Sequence, residues 1–141
     1  MDHLLKTAAL LRGGQLYAHH AHNHVKGSTF GQDHDFFGEL YPVYETGYDG
    51  CIERYIGLTG KSVDTLKLAN DSLDLVTDLP KEPGDSNRSF YEGVLHVEKA
   101  LCGYIQSCIK APMSEGTKQM LGNLADESEV RQYKIKQRLR G

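Results

Sequence analysis

Every stretch of this chain between its turn signals carries apolar residues at helical spacing, and none alternates as a strand does. The clearest case is Val94, Val97, Leu101, Tyr104 and Cys108, which step by 3, 4, 3 and 4 residues. That is the core stripe of a helix in a bundle. Breaks rich in turn residues fall at Val25-Lys26-Gly27-Ser28, at Asp78 to Asn87, and at Pro112 with Gly116. The one Asp-Gly pair, Asp49-Gly50, lacks alternating flanks and marks no hairpin. The chain is therefore predicted to be all-α.

Four long helices follow from these breaks. The first spans about Leu4 to Val25, with Leu4, Ala8, Leu11 and Ala18 on one face and Leu5 and Leu16 beside them. Gly13-Gly14 in its middle costs about 1 kcal/mol each against Ala, which predicts the close approach of another backbone. The second opens on Thr29-Phe30-Gly31-Gln32, read as a capping box, with Asp33 and Asp35 complementing the positive helix start. It ends near Gly57 to Gly60, and Pro42 inside it predicts a kink. A short extra helix is predicted over Lys61 to Asn70, within a connection of about 30 residues. The third helix opens on a second capping box, Ser89-Phe90-Tyr91-Glu92. The fourth spans about Thr117 to Leu139, with a thinner stripe of Met120, Leu121, Leu124, Val130 and Tyr133. A short turn, a long connection and a short turn are the pattern of a ferritin-like four-helix bundle with one long crossover. A length of 141 residues suits a single domain spanning 1–141.

Charge and composition exclude several classes. Sixteen Lys and Arg against nineteen Asp and Glu give a formal charge of −3, which argues against a general nucleic-acid binder. No apolar run approaches the roughly 18 residues of a membrane span, and Met1-Asp2-His3 is not a charged signal-peptide start. A cytoplasmic protein with no membrane partner is expected. Cys51, Cys102 and Cys108 are odd in number and have no CxxC spacing, which excludes a fully paired disulfide framework and a Cys-rich zinc site. They are expected as packed, reduced thiols.

The seven histidines supply the candidates for chemistry. His19, His20, His22 and His24 lie within six residues, and Asp33, His34, Asp35 and Glu39 follow across the first turn. Each imidazole has a plain reading, a solvated helix face, beside a ligand reading. Asp49 and Glu53, spaced i, i+4, share one helix face and read either as an exposed acidic stripe or as a ligand pair. If the first two helices form a hairpin, His22 and His34 lie level across it. Asp49 is 15 residues beyond His34, about 22 Å along a helix, so one chain cannot join all four residues. Two chains can, if their second helices pack antiparallel about a two-fold axis. Two imidazoles and two carboxylates would then converge twice, a nitrogen and oxygen set that suits iron or zinc better than magnesium.

His22-Asn23-His24-Val25-Lys26-Gly27, then Phe30 and His34, then Asp49 and Glu53-Arg54 resemble the Dps family of mini-ferritins. The family reads H-W-N-x-[KR]-G-x-x-F-x-x-x-H and then D-x-x-x-E-R, and the spacings here match without a gap. Glu115-Gly116-Thr117, followed by Leu121 and Leu124, resembles the start of the family's last helix. The E-x-x-H pair that ordinary ferritins place inside the bundle is absent from this sequence. The resemblance implies a hollow dodecamer that binds Fe(II) between two-fold-related subunits, oxidises it with hydrogen peroxide and stores ferric mineral, which protects against oxidative damage. By that resemblance His22 and His34 of one subunit, with Asp49 and Glu53 of its partner, are the iron ligands and the ferroxidase residues, and zinc is a possible substitute metal.

The chain departs from the family pattern in three places. Gly38 stands where the family has an Asp four residues after the second His, and neither Glu39 nor Asp35 lies at the right angle to replace it. Asn23 stands for the family's Trp, which leaves any radical-trapping role to tyrosines such as Tyr17, Tyr41, Tyr44 or Tyr48. His24 stands for the usual Asn and is read either as polar surface or as an extra ligand. Gly38 and Pro42 also favour an alternative function, a non-enzymatic shell protein with a blunted metal site. DNA binding is expected to be weak or absent. Met1 to Leu5 offers no Lys-rich arm, and the four basic residues from Lys134 to Gly141 read as the tail of a helix.

Overall fold

The computed structural model describes residues 2–140, and side chains from 3 to 140; Met1 and Gly141, the outer ends of the two candidate arms, lie outside the described residues. The described residues form five α-helices and one 3-10 turn with their connections: α1 (Asp2–His24), α2 (Phe30–Thr59), α3 (Thr65–Asp74), the turn Asp85–Asn87, α4 (Arg88–Cys108) and α5 (Glu115–Arg140). There is no strand among the described residues. The protein is an all-helical bundle, as the apolar periodicity requires.

The stripes pack as amphipathic helices must. Leu4, Ala8, Leu11 and Ala18 of α1 are buried, as are Val94, Val97, Leu101 and Cys108 of α4. Leu16 faces outward instead. Helix α1 lies along α2 and α4, α3 rests on α1, and α4 pairs with α5. Contacts between α2 and α4 rise together along both helices, from Phe37 on Tyr91 to Tyr44 on Glu98. Contacts between α2 and α5 run in opposite senses, from Asp33 with Arg138 to Gly47 beside Leu124.

Local starts differ from the expected boxes. Thr29 occupies the cap of α2 but makes no capping bond; its hydroxyl donates to the Asp33 carboxylate at 2.6 Å. Helix α4 starts earlier than Ser89, after Asn87 in a left-handed conformation, because the Asn87 side chain is held by the α1–α2 turn. The short helix begins at Thr65, four residues later than expected, because Asp64 caps it by accepting from the Lys67 amide at 3.0 Å. Pro42 does not interrupt α2, which runs unbroken from Phe30 to Thr59. Its missing N–H leaves the Gly38 carbonyl without that helical donor.

The stripe expected on α5 holds for Leu121, with Met120 and Leu124 half-buried, and fails for Val130 and Tyr133, which are exposed. The inward positions are 117, 121, 124, 128, 131, 135 and 138, a heptad pattern that polar residues disguise. Arg131 and Arg138 on that line reach buried carboxylates, Glu98 and Asp33.

The glycine pair of α1 has the expected cause at Gly13. A Cβ there would lie 2.8 Å from the Ser72 backbone carbonyl of α3, closer than such atoms pack. A Cβ at Gly14 would instead meet the Val97 and Tyr44 side chains. Gly13→Ala is expected to destabilise the protein by about 1–3 kcal/mol through overpacking, despite alanine's better helix propensity. A urea-unfolding midpoint equal to or above wild type would show that α3 does not hold Gly13 closely.

Candidate metal site

The short turn after α1 brings its last turn beside the start of α2, and this places His22 against His34. Their rings stack with centroids 3.8 Å apart and planes 27° from parallel, and both side chains are half-buried. His22 Nδ1 lies 2.9 Å from the His34 backbone oxygen. A carbonyl oxygen only accepts, so Nδ1 carries a proton, and in the neutral imidazole Nε2 then keeps its lone pair. That is the tautomer an imidazole binding a metal through Nε2 needs, with its other nitrogen anchored to backbone.

Aromatic side chains close round the pair. Phe30 stacks on His34 at 4.9 Å, and Tyr41 lies 5.6 Å from His22. His19 stacks flat on Tyr41 at 4.1 Å and lies 6.2 Å from His22. Of the four candidate tyrosines, Tyr41 thus adjoins the site. Tyr17 donates to the Pro80 carbonyl at 2.6 Å, Tyr44 donates to buried Glu98, and Tyr48 lies under the Arg12 guanidinium at 3.7 Å. His20 and His24 form a separate stack, where His24 Nδ1 donates to the His20 carbonyl at 2.7 Å.

Asp49 and Glu53 are exposed on α2 and make no ion pair among the described residues. They lie 15 and 19 residues beyond His34, about 22 Å or more along the same helix. Among the described residues no three His, Cys, Asp or Glu side chains converge on a point that could hold a metal ion. Within one chain the imidazole pair and the carboxylate pair therefore lie far apart.

Two carboxylates, Asp33 and Glu98, are fully buried, which sequence patterning does not show, and they serve the fold. Asp33 lies in the first turn of α2, as expected, and is fully buried there. It accepts from Thr29, Asn87, Tyr91 and Arg138, and joins the starts of α2 and α4 to the end of α5. Burial pushes its carboxyl up, but those four hydrogen bonds outweigh burial and hold it below the ordinary value. Glu98, fully buried, accepts from Tyr44 and pairs with Arg131, while its backbone carbonyl accepts from Ser128. Burial, with the Glu98 charge and hydrogen bond behind it, drives the Tyr44 phenol far above its usual range. A weak signal for both networks exists in the sequence: Arg131 and Arg138 sit seven residues apart on the inward stripe of α5.

The three cysteines are free and buried. Burial, against a smaller opposing effect of Arg54, raises the Cys51 thiol to about 12, so it is a packing group rather than a nucleophile. No helix among the described residues is long and apolar enough to cross a membrane. Helix α5 continues through Arg140, and Arg138 near its end is bound to Asp33 and to the Ser86 carbonyl. No protein-family model matches this chain, and no curated protein matches it in sequence.

Proposed function

We propose that this protein is a Dps-like ferroxidase that binds Fe(II) as substrate between two-fold-related chains and stores the ferric product within a hollow homo-oligomer, most simply a dodecamer. The observation that carries the reading is the His22–His34 pair, with His22 anchored through Nδ1 and its Nε2 lone pair free. Asp49 and Glu53, exposed and unpaired within the chain, are the carboxylates a second chain would offer. Support for a ferritin-like crossover comes from the co-directional run of α2 and α4 joined by the connection that carries α3. Leu66 on α3 is 82% exposed and Leu73, one heptad on, is 47% exposed, which suits burial of that face against a second copy.

The chemistry divides between the chains. Imidazole nitrogens hold Fe(II) directionally, and the two carboxylates neutralise the ion and stabilise the more highly charged ferric state. One peroxide accepts an electron from each of two Fe(II) ions and takes up two protons, giving two Fe(III) ions and two waters. Anaerobic titration with Fe(II), followed by peroxide, tests this reading. Stoichiometric binding and a rapid rise of ferric absorbance are expected. Growth at the protein-free rate would favour the second reading, a structural shell with a blunted site, for which the missing acidic side chain at Gly38 speaks. A stable monomer in light scattering at micromolar concentration would overturn both the assembly and the shared site.

The formal charge of −3 per chain, multiplied over an oligomer, opposes tight DNA binding at physiological salt. A cytoplasmic location fits the free cysteines.

A further inference from the structure

Gly38 looks like a lost ligand in the sequence, and its surroundings give it another meaning. A Cβ built there would lie 2.9 Å from His22 Cε1 and 3.0 Å from His22 Nδ1. The imidazole therefore occupies the space that any side chain at 38 would need. It packs against α2 at a position from which nothing projects. From there Nδ1 reaches the His34 carbonyl at 2.9 Å, and the ring stacks on the His34 imidazole at 3.8 Å.

We infer that Gly38 is a positioning residue of the metal site: its missing side chain is the space in which the His22 imidazole lies, so an acidic side chain introduced there displaces a nitrogen ligand rather than adding an oxygen one. This rests on the reading of His22 as a ligand in a shared site. The atoms that would collide belong to the far end of a side chain, which gives way by rotating about its own bonds, whereas backbone would not. A side chain at 38 thus leaves the fold intact and costs the site its anchored ring. The loss separates two quantities that ordinarily move together. Alanine replaces glycine within a helix, which favours folding, while the orientation of His22, which governs metal binding, is lost.

The test uses the full-length chain with Gly38→Ala and Gly38→Asp. In metal-free protein, nitrogen-edited NMR of the His22 imidazole is expected to show a slowly exchanging Nδ1–H in wild type and its loss in both variants. Anaerobic titration with Co(II), a visible stand-in for Fe(II), is expected to give about tenfold or weaker binding in both variants, Gly38→Asp included. Thermal midpoints should equal or exceed wild type for Gly38→Ala. Binding by Gly38→Asp as tight as wild type, or tighter, overturns the inference, because the carboxylate would then be acting as the missing ligand. Persistence of the Nδ1–H signal in Gly38→Ala also overturns it. Wild type that binds no Co(II) overturns the shared-site reading instead, and the imidazole spectra alone then decide whether Gly38 holds His22 in place.

Discussion

Oligomers built from chains carrying both His22→Ala and His34→Ala are expected to lose peroxide-driven iron oxidation, as are oligomers carrying Asp49→Asn with Glu53→Gln. Removing a direct ligand should cost more than the roughly 10–100-fold in affinity that loss of an outer hydrogen-bond partner costs. The carboxylate pair should do the greater harm, since it removes two charges that attract Fe(II) and stabilise Fe(III). Mixing the two inactive chains is the decisive measurement. In an isologous dimer of one chain of each kind, one site would hold all four ligands and the other none of them. Random pairing of equal amounts gives mixed dimers half the time, each with half its sites intact, so recovery to about a quarter of wild-type activity is expected. Verified mixed dimers without recovery would show that the ligands are not shared between chains. Full activity in either parent would show that these four residues are not the catalytic set.

The second large effect concerns stability. Asp33→Asn leaves the Arg138 guanidinium without its carboxylate and disturbs the hydrogen bonds from Tyr91, Asn87 and Thr29 at the same place. Removing one partner of a buried ion pair costs about 3–5 kcal/mol; with Arg138 partly reached by water, about 3 kcal/mol is expected, or a melting temperature lower by about 10 °C. The pH dependence has a definite sign. The Asp33 carboxyl is held below its unfolded value, so its contribution is present above about pH 4 and is lost as pH falls through the folded value. The gap in unfolding free energy between wild type and Asp33→Asn should therefore be largest near neutrality and shrink below about pH 4. A gap that stays constant from pH 7 to pH 3 would show that the ionisation of Asp33 does not stabilise the fold.

Both predictions involve residues on the first turn and a half of α2, yet they differ in how far they could be read from the chain. His22 and His34 are joined by one short turn, so helix geometry alone sets them level. Asp33 is adjacent to His34, but its partners Asn87, Tyr91 and Arg138 lie 54, 58 and 105 residues away. An Asp beside a helix start has a sufficient local explanation in the helix dipole, and that explanation conceals the buried role. The start of α4 has the same origin: Ser89 carries a suitable side chain, but Asn87 is held by Lys26 in the α1–α2 turn and the helix begins directly after it.

Helix α5 makes the same point for the core. Leu121 and Ile135 are buried as apolar residues should be, while Val130 and Tyr133 are exposed and Ser128 is buried. Apolar periodicity cannot identify a stripe that includes Arg131 and Arg138, because an arginine is inward only where another helix supplies a carboxylate. Glu98 and Asp33 supply them.

The helical class, the turns that divide the helices, the level placing of His22 and His34, and the separation of that pair from Asp49 and Glu53 are all legible in the order of residues. These depend on the 3.6-residue period and the 1.5 Å rise, which act within a single helix or across one short turn. Packing between helices decided which polar groups are buried, where α4 starts, what lies against Gly13, and what fills the space beside Gly38. Each of those is a contact between helices packed to near-crystalline density, where a missing Cβ or a distant guanidinium alters what its neighbour can do.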